Sequence, residues 1–477
     1  LSQSISRDLA QDEKQDRKIK QYSSLLVQRE GLLKLGSVDV KKVKENNLKL
    51  TKVNKQIDLL KKEILQGYPE FKKNFANQVV IASEIGPAMK EDEALIQFTI
   101  GRHFSFASVI SRERNYITTL SNKKKKKLTS HQEVSSMVEK IRASLQLTNA
   151  KPQQFDLENS NNLFEILFPK NVLDVIKDKK KLAIVPDGPL YGLPFELLYD
   201  KKNRKWLLEQ HAITISPSAQ SYAALNLDNT IPFSKAKSFV GFGNPKIQDV
   251  KVAKNPELNK IELEFSKVMT RGGAVNLKYL KLFPELPETE DELKRISSKF
   301  DNNSKLYLRE EFNEKLIKSI DFKKFKVVSF ASHALVVGEI EGLAEPAIVL
   351  SVPKEATKED DGLLTASEIV KLNLNTDLVI LSACNTASSS GKTNSEALSG
   401  LANSFFYSGA KSLLVTHWSI ISDTSVQLVT DTFDFLEETN GDLSLALTKA
   451  KIKMLKNYET QHPIYWAPYT LVGRSKI

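Results

Sequence analysis

Apolar residues recur every three or four positions at Ile19, Tyr22, Leu26 and Leu33, and again at Leu50, Val53, Ile57, Leu60 and Ile64. That period predicts two amphipathic helices. Gly36 and Ser37 break the pattern between them, so residues 1–66 are expected to form an antiparallel helical hairpin rather than one long coiled coil. Further on, the runs ALIQFTIGR (94–102), HFSFASVIS (103–111) and RNYITTL (114–120) are rich in β-branched and aromatic residues, with polar breaks between them. They predict a β-meander within a second segment, 67–150. The lysines from Lys123 to Lys127 follow at its exit and read as a solvated loop, since no interleaved aromatic residues accompany them to stack on bases.

Beyond residue 155 the pattern changes to short, nearly continuous apolar runs: KLAIVPD (181–187), AITISPS (212–218), KSFVGFG (237–243), KVVSFAS (326–332), DLVILSA (377–383) and KSLLVTH (411–417). Strands buried on both faces have this composition. Helical segments are expected between several of them, one from Glu290 to Phe300 with Thr289 and Glu292 at capping-box spacing, another from Glu396 to Tyr407. Alternation of this kind over 151–477 predicts an α/β fold with a mostly parallel sheet flanked by helices.

Composition refines this picture. The chain has 477 residues, 41% hydrophobic and 27% charged, which excludes a disordered or fibrous protein. No apolar run approaches the roughly 18 residues needed to span a bilayer, and no basic-then-apolar leader opens the chain, so a soluble cytoplasmic location without membrane contact is expected. The net charge of +11 lies in the front: residues 1–150 hold 28 Lys and Arg against 17 Asp and Glu, while residues 151–477 hold 41 of each. The balanced back half gives no expectation of direct nucleic-acid binding. A chain that opens on Leu1 is expected to continue upstream, with further helical repeats.

Ligands of open α/β sheets bind at the carboxyl ends of the strands. His333 follows KVVSFAS, and Cys384, the single cysteine, follows DLVILSA. One thiol rules out an internal disulfide or a thiolate metal cluster, and no cofactor is called for. A free thiol of pKa about 8.5 is only a few per cent ionised at neutral pH, so a nucleophilic Cys384 needs a base, and His333 is positioned to be one. The flanking Ser332, Ala334, Ala383 and Asn385 are small enough to admit a substrate backbone. His417, after KSLLVTH, is a second candidate base. It ranks behind because His333 and Cys384 are 51 residues apart, close to the roughly 50 that separate His and Cys in caspases. Two other readings stay open: an inert buried thiol on a catalytically silent interaction module, and a phosphate-binding loop at Gly391, Lys392 and Thr393. The latter lacks the earlier glycine such a loop needs, position 386 being Thr.

The ordered segments SFASHA (329–334), LVILSACNT (378–386), EALSGLANSFFYSGAKSLLVTHW (396–418) and WAPYTLVG (466–473) resemble the CHAT family of caspase-like cysteine peptidases, relatives of separase often found behind TPR repeats. VPDGPLYGLPFELL (185–198), DGLLTASEI (361–369) and Asp423 extend the likeness, which runs from about Tyr68 to the C-terminus. The resemblance implies a caspase-like fold, His333 as general acid and base and Cys384 as nucleophile of an endopeptidase. It also makes 1–66 a helical linker or the end of a TPR-like region, through which a regulatory protein partner is expected to act on loops such as 386–395. The backbone N–H groups of Cys384 and Ala334 are the natural oxyanion donors. A protein substrate is expected to add a strand beside residues 418–421, which include Trp418 and Ser419. For the side chain before the cut, Asp187 would favour Arg or Lys. Ser382, which lines the same pocket in caspase-like enzymes, is not a second acid, and a neutral or apolar side chain is the stronger expectation.

Overall fold

The computed structural model describes residues 17–18, 21–22, 24–26, 28–29, 32, 40–67, 82–124, 126–148, 151–226, 238–247, 280–281, 283–300, 303–335, 343, 345–357, 360–382, 400–418 and 422–477. They fall into two compact units: the described residues up to 67 with 238–382 and 400–410, and 82–226 with 411–477.

In the first unit, helix α1 (Val40–Gly67) lies against a helical stretch within 17–32. Tyr22 and Leu26 share a buried cluster with Val53, Ile57 and Leu60, and Lys18 meets Glu63 at 3.1 Å, so the two arms run antiparallel, as expected from the Gly36–Ser37 break in the apolar period. The second unit opens with the meander β1 (Glu93–Ile100), β2 (Ser105–Ser111) and β3 (Asn115–Asn122). β1 also pairs in parallel with β4 (Lys181–Val185), so the meander extends the unit's sheet instead of standing apart. Helices α2 (His131–Ala143) and α3 (Leu157–Leu167) connect them, and β5 (Ala212–Ile215) pairs in parallel with β4 on its other side.

Returning to the first unit, β6 (Phe239–Gly243), β7 (Ser304–Leu308), β8 (Val327–Ala331) and β12 (Leu378–Ser382) form a wholly parallel sheet in the order β7-β6-β8-β12, with helix α4 (Glu288–Ser297) between β6 and β7 in the chain. Its core is aromatic. Phe242 stands in register with Tyr307 and Phe330 and stacks on both, at 5.5 and 5.0 Å between centroids. A small antiparallel sheet of β9 (Ala334–Leu335), β10 (Ala347–Val349) and β11 (Leu363–Thr365) follows β8 directly, and α5 (Gly400–Tyr407) puts Phe405 against Phe330. The second unit closes with β13 (Ser412–Thr416), α6 (Ser422–Glu438), α7 (Leu443–Leu455) and β14 (Tyr469–Gly473), β14 lying antiparallel to β13 and meeting β5 at Val472 and Ile215.

All six apolar runs are strands, and this α/β arrangement carries helices on its mostly parallel sheet as the alternation required. One local expectation is overturned. α4 begins at Glu288, and Thr289 and Glu292 form no capping box. Gly243 brings the end of β6 so close to α4 that an added Cβ would stand 2.6 Å from Leu293 Cδ1. At that contact the Thr289 hydroxyl donates to Leu286 O and accepts the Asn244 N–H, both at 2.7 Å, so it serves the strand end instead of its own helix. Among the described residues no helix is long and apolar enough to cross a membrane.

Candidate active site

His333 stands two residues beyond β8, at the carboxyl end of the first unit's parallel sheet. Two bonds tie this strand end to β10: Val349 N–H donates to His333 O at 2.9 Å, and the side-chain Oγ of the preceding Ser332 donates to Val349 O at 2.5 Å. Its Nε2 lies 2.8 Å from Pro284 O, and its ring 5.2 Å from that of Phe283. A carbonyl can only accept, so this contact holds the proton on Nε2 and makes Nδ1 the basic nitrogen of the neutral ring. Ala334 opens β9 opposite Ile348. Hydrogen-bonded and non-bonded pairs alternate along an antiparallel ladder, so the bond at His333 and Val349 turns the Ala334 N–H away from β10.

On the neighbouring strand Ser382 pairs in register with Ala331. Its hydroxyl, buried, donates to Glu292 Oε1 of α4 at 2.5 Å. Burial pushes the Glu292 carboxyl up to about 7, against the hydrogen bond from Ser382, which lowers it. The cue was present in the sequence: Glu292 sits on the buried stripe of α4 with Thr289, Leu293 and Ile296, where a carboxylate is out of place. A consequence follows for stability. The folded chain keeps a proton on Glu292 that the unfolded chain releases between its ordinary pKa of 4.5 and about 7, so this group's contribution is whole below pH 4.5 and is lost as pH rises through 7. Glu292→Gln is expected to leave stability at pH 4.5 almost unchanged and raise it at pH 8 by up to about 3 kcal/mol. Urea midpoints at the two pH values measure this, and a pH-independent difference would refute it.

In the second unit Asp187 follows β4, where Oδ2 accepts the Ile100 N–H at 2.7 Å. Burial, and then the Asp187 charge, push the Tyr191 phenol up to about 12, so it stays neutral. His417, the second candidate base, is buried; its Nε2 lies 2.9 Å from Thr470 Oγ1, and burial, then Arg142 and Lys451, hold its pKa well below the usual imidazole range. It is a neutral ring built into the sheet. Trp418 is half-buried and donates its indole N–H to Ile464 O at 3.2 Å. Pro186 and His417, the residues preceding Asp187 and Trp418, line one cavity of about 10 Å³. Cys384, Ser419, the loop 386–395 and the Gly391–Lys392–Thr393 segment lie outside the described residues.

A parallel sheet flanked by helices and followed by a small antiparallel sheet is a caspase-like fold. The family model of the CHAT domain matches residues 157–474, and the chain belongs to that family. Tetratricopeptide repeat protein 28 of Mus musculus is 24% identical over an alignment 330 residues long that covers 62% of this chain and 12% of that protein. The Homo sapiens protein of the same name gives 24% over 329 residues and the same two shares. The chain thus spans about an eighth of the length of these curated relatives. Among solved structures, the separase–securin complex of Saccharomyces cerevisiae matches with a TM-score of 0.50 and 11% identity over 92% of this chain and 34% of that one. Gingipain R, an Arg-specific cysteine proteinase, matches at a TM-score of 0.37 and 8% identity over 72% of this chain and 73% of its own.

Proposed function

We propose that the chain is a cysteine endopeptidase in which Cys384 is the nucleophile and His333 moves the proton. The observation that carries this reading is the register between β8 and β12. Ala331 is paired with Ser382, and His333 follows the one by two residues as Cys384 follows the other in the sequence. Membership of the CHAT family and the fold shared with separase support it. In the reaction His333 Nδ1 takes the thiol proton and the thiolate attacks the peptide carbonyl. The N–H groups of Ala334 and Cys384 receive the oxyanion. The imidazolium then protonates the leaving amine as the C–N bond breaks, and a thioester remains. Water, deprotonated by the same ring, hydrolyses the thioester and regenerates the thiol.

The substrate is proposed to pair with the segment that starts at Trp418, main-chain bonds supplying affinity. The helical hairpin is the proposed entry point of a regulatory protein partner; turnover that is already maximal without any added protein would remove the need for one. The central test combines iodoacetamide alkylation of Cys384 with cleavage of a protein substrate library. Fast alkylation near neutral pH, and cleavage abolished in Cys384→Ala, are expected. Slow alkylation without cleavage identifies a silent interaction module, and undiminished cleavage by Cys384→Ala refutes the reading.

A further inference from the structure

Arg142 lies in the last turn of α2, ahead of the segment that the CHAT model matches. Its guanidinium forks onto two carbonyls far apart in the chain: Nη1 donates to Gly192 O at 2.7 Å and Nη2 to His417 O at 3.1 Å. Gly192 ends the turn Gly188–Gly192 that Asp187 opens, and His417 immediately precedes Trp418. The His417 N–H meanwhile donates to Pro468 O at 2.9 Å, so the residue leading into Trp418 is bonded through both its N–H and its C=O. The aliphatic stem packs on the same turn, with Arg142 Cδ 3.8 Å from where a Cβ on Gly192 would lie. Among the described residues Arg142 has no carboxylate partner, and its charge goes to these two carbonyls. Five donors in one rigid plane can span two acceptors in this way, and a single ammonium cannot hold the same geometry.

We propose that Arg142 is a positioning residue that locks the Asp187 turn to the end of β13, and that the functional unit of this chain therefore extends back through α2. The assignment rests on the peptidase reading for its effect on substrate, and on the fork alone for its effect on the two segments. A docking edge held in one conformation before substrate arrives costs less to order on binding, so loss of the fork weakens substrate capture while the chemistry at Cys384 stays intact.

The experiment compares Arg142→Gln and Arg142→Lys with the unaltered 477-residue chain in steady-state cleavage of a fluorogenic peptide, iodoacetamide alkylation of Cys384, and amide hydrogen exchange. In both variants KM is expected to rise about tenfold with kcat within about twofold. The alkylation rate is expected to hold, and exchange to quicken in 188–193 and around 417 and nowhere else. Unchanged KM in a folded Arg142→Gln chain overturns the assignment, as does a joint fall in kcat and alkylation rate, which marks a general structural defect. Exchange separates the two layers: if the unaltered chain cleaves nothing, the peptidase reading fails, while local quickening still establishes the lock and its absence overturns it.

Discussion

Replacing His333 with alanine is expected to lower peptide cleavage by about 10³-fold or more, within the range that a lost general acid–base group produces and compounded by loss of the thiolate. Two separable losses make up the effect. Without the imidazole, Cys384 returns toward an ordinary thiol of pKa about 8.5, and only a few per cent is nucleophilic at neutral pH. The amine that leaves also loses its proton donor. Raising the pH to about 9 ionises an ordinary thiol and so restores alkylation of Cys384 in His333→Ala, but it supplies no acid for the amine. Cleavage should therefore stay low at pH 9 while alkylation recovers. A pH series of both rates on the same protein measures the two roles, and recovery of cleavage in step with alkylation would show that His333 acts only on the thiol. The Pro284 carbonyl, 2.8 Å from Nε2, is the group that holds the ring in the tautomer this scheme needs.

Lys451→Met is expected to destabilise the second unit by about 3–5 kcal/mol, the cost of leaving a buried charge without its partner. Lys451 and Glu196 are 1% and 3% exposed and 2.5 Å apart, and Lys451 Nζ also donates to Tyr469 O at 2.7 Å. One ammonium thus joins α7, the PFELL segment and β14. Among the described residues Glu196 Oε2 has no hydrogen-bond partner, so without Lys451 none of them compensates its desolvation. The double variant Lys451→Met/Glu196→Leu removes both charges and should recover most of the loss, since buried pairs replaced by apolar residues of similar volume are often neutral. Chemical denaturation of the single and double variants measures it. A single variant as stable as the parent would mean that water reaches Glu196.

The hairpin, the meander and the six buried strands were legible because apolar period reports burial directly. Tyr22 with Ile57, or the run FVGFG, carries its own evidence of which side is covered. β7 was missed for the same reason: SKLYL is an edge strand, only half-buried, and lacks the continuous apolar run of the strands inside the sheet. The small sheet of β9 to β11 consists of strands of two and three residues, too short for any period to register.

For the candidate site, the sequence by itself determined the chemistry on offer: one thiol, and a histidine just beyond an apolar run that forms a strand. Only the tertiary structure decided which polar groups meet. Ser382 and Glu292 are 90 positions apart, and Arg142 and His417 are 275 apart. Glu292 has the spacing of a cap and Arg142 that of an ordinary basic residue at a helix end. Local pattern records which residues leave water, because burial is a property of one residue and its near neighbours. A hydrogen bond between distant residues depends on the path of the whole chain, and no local period records that path.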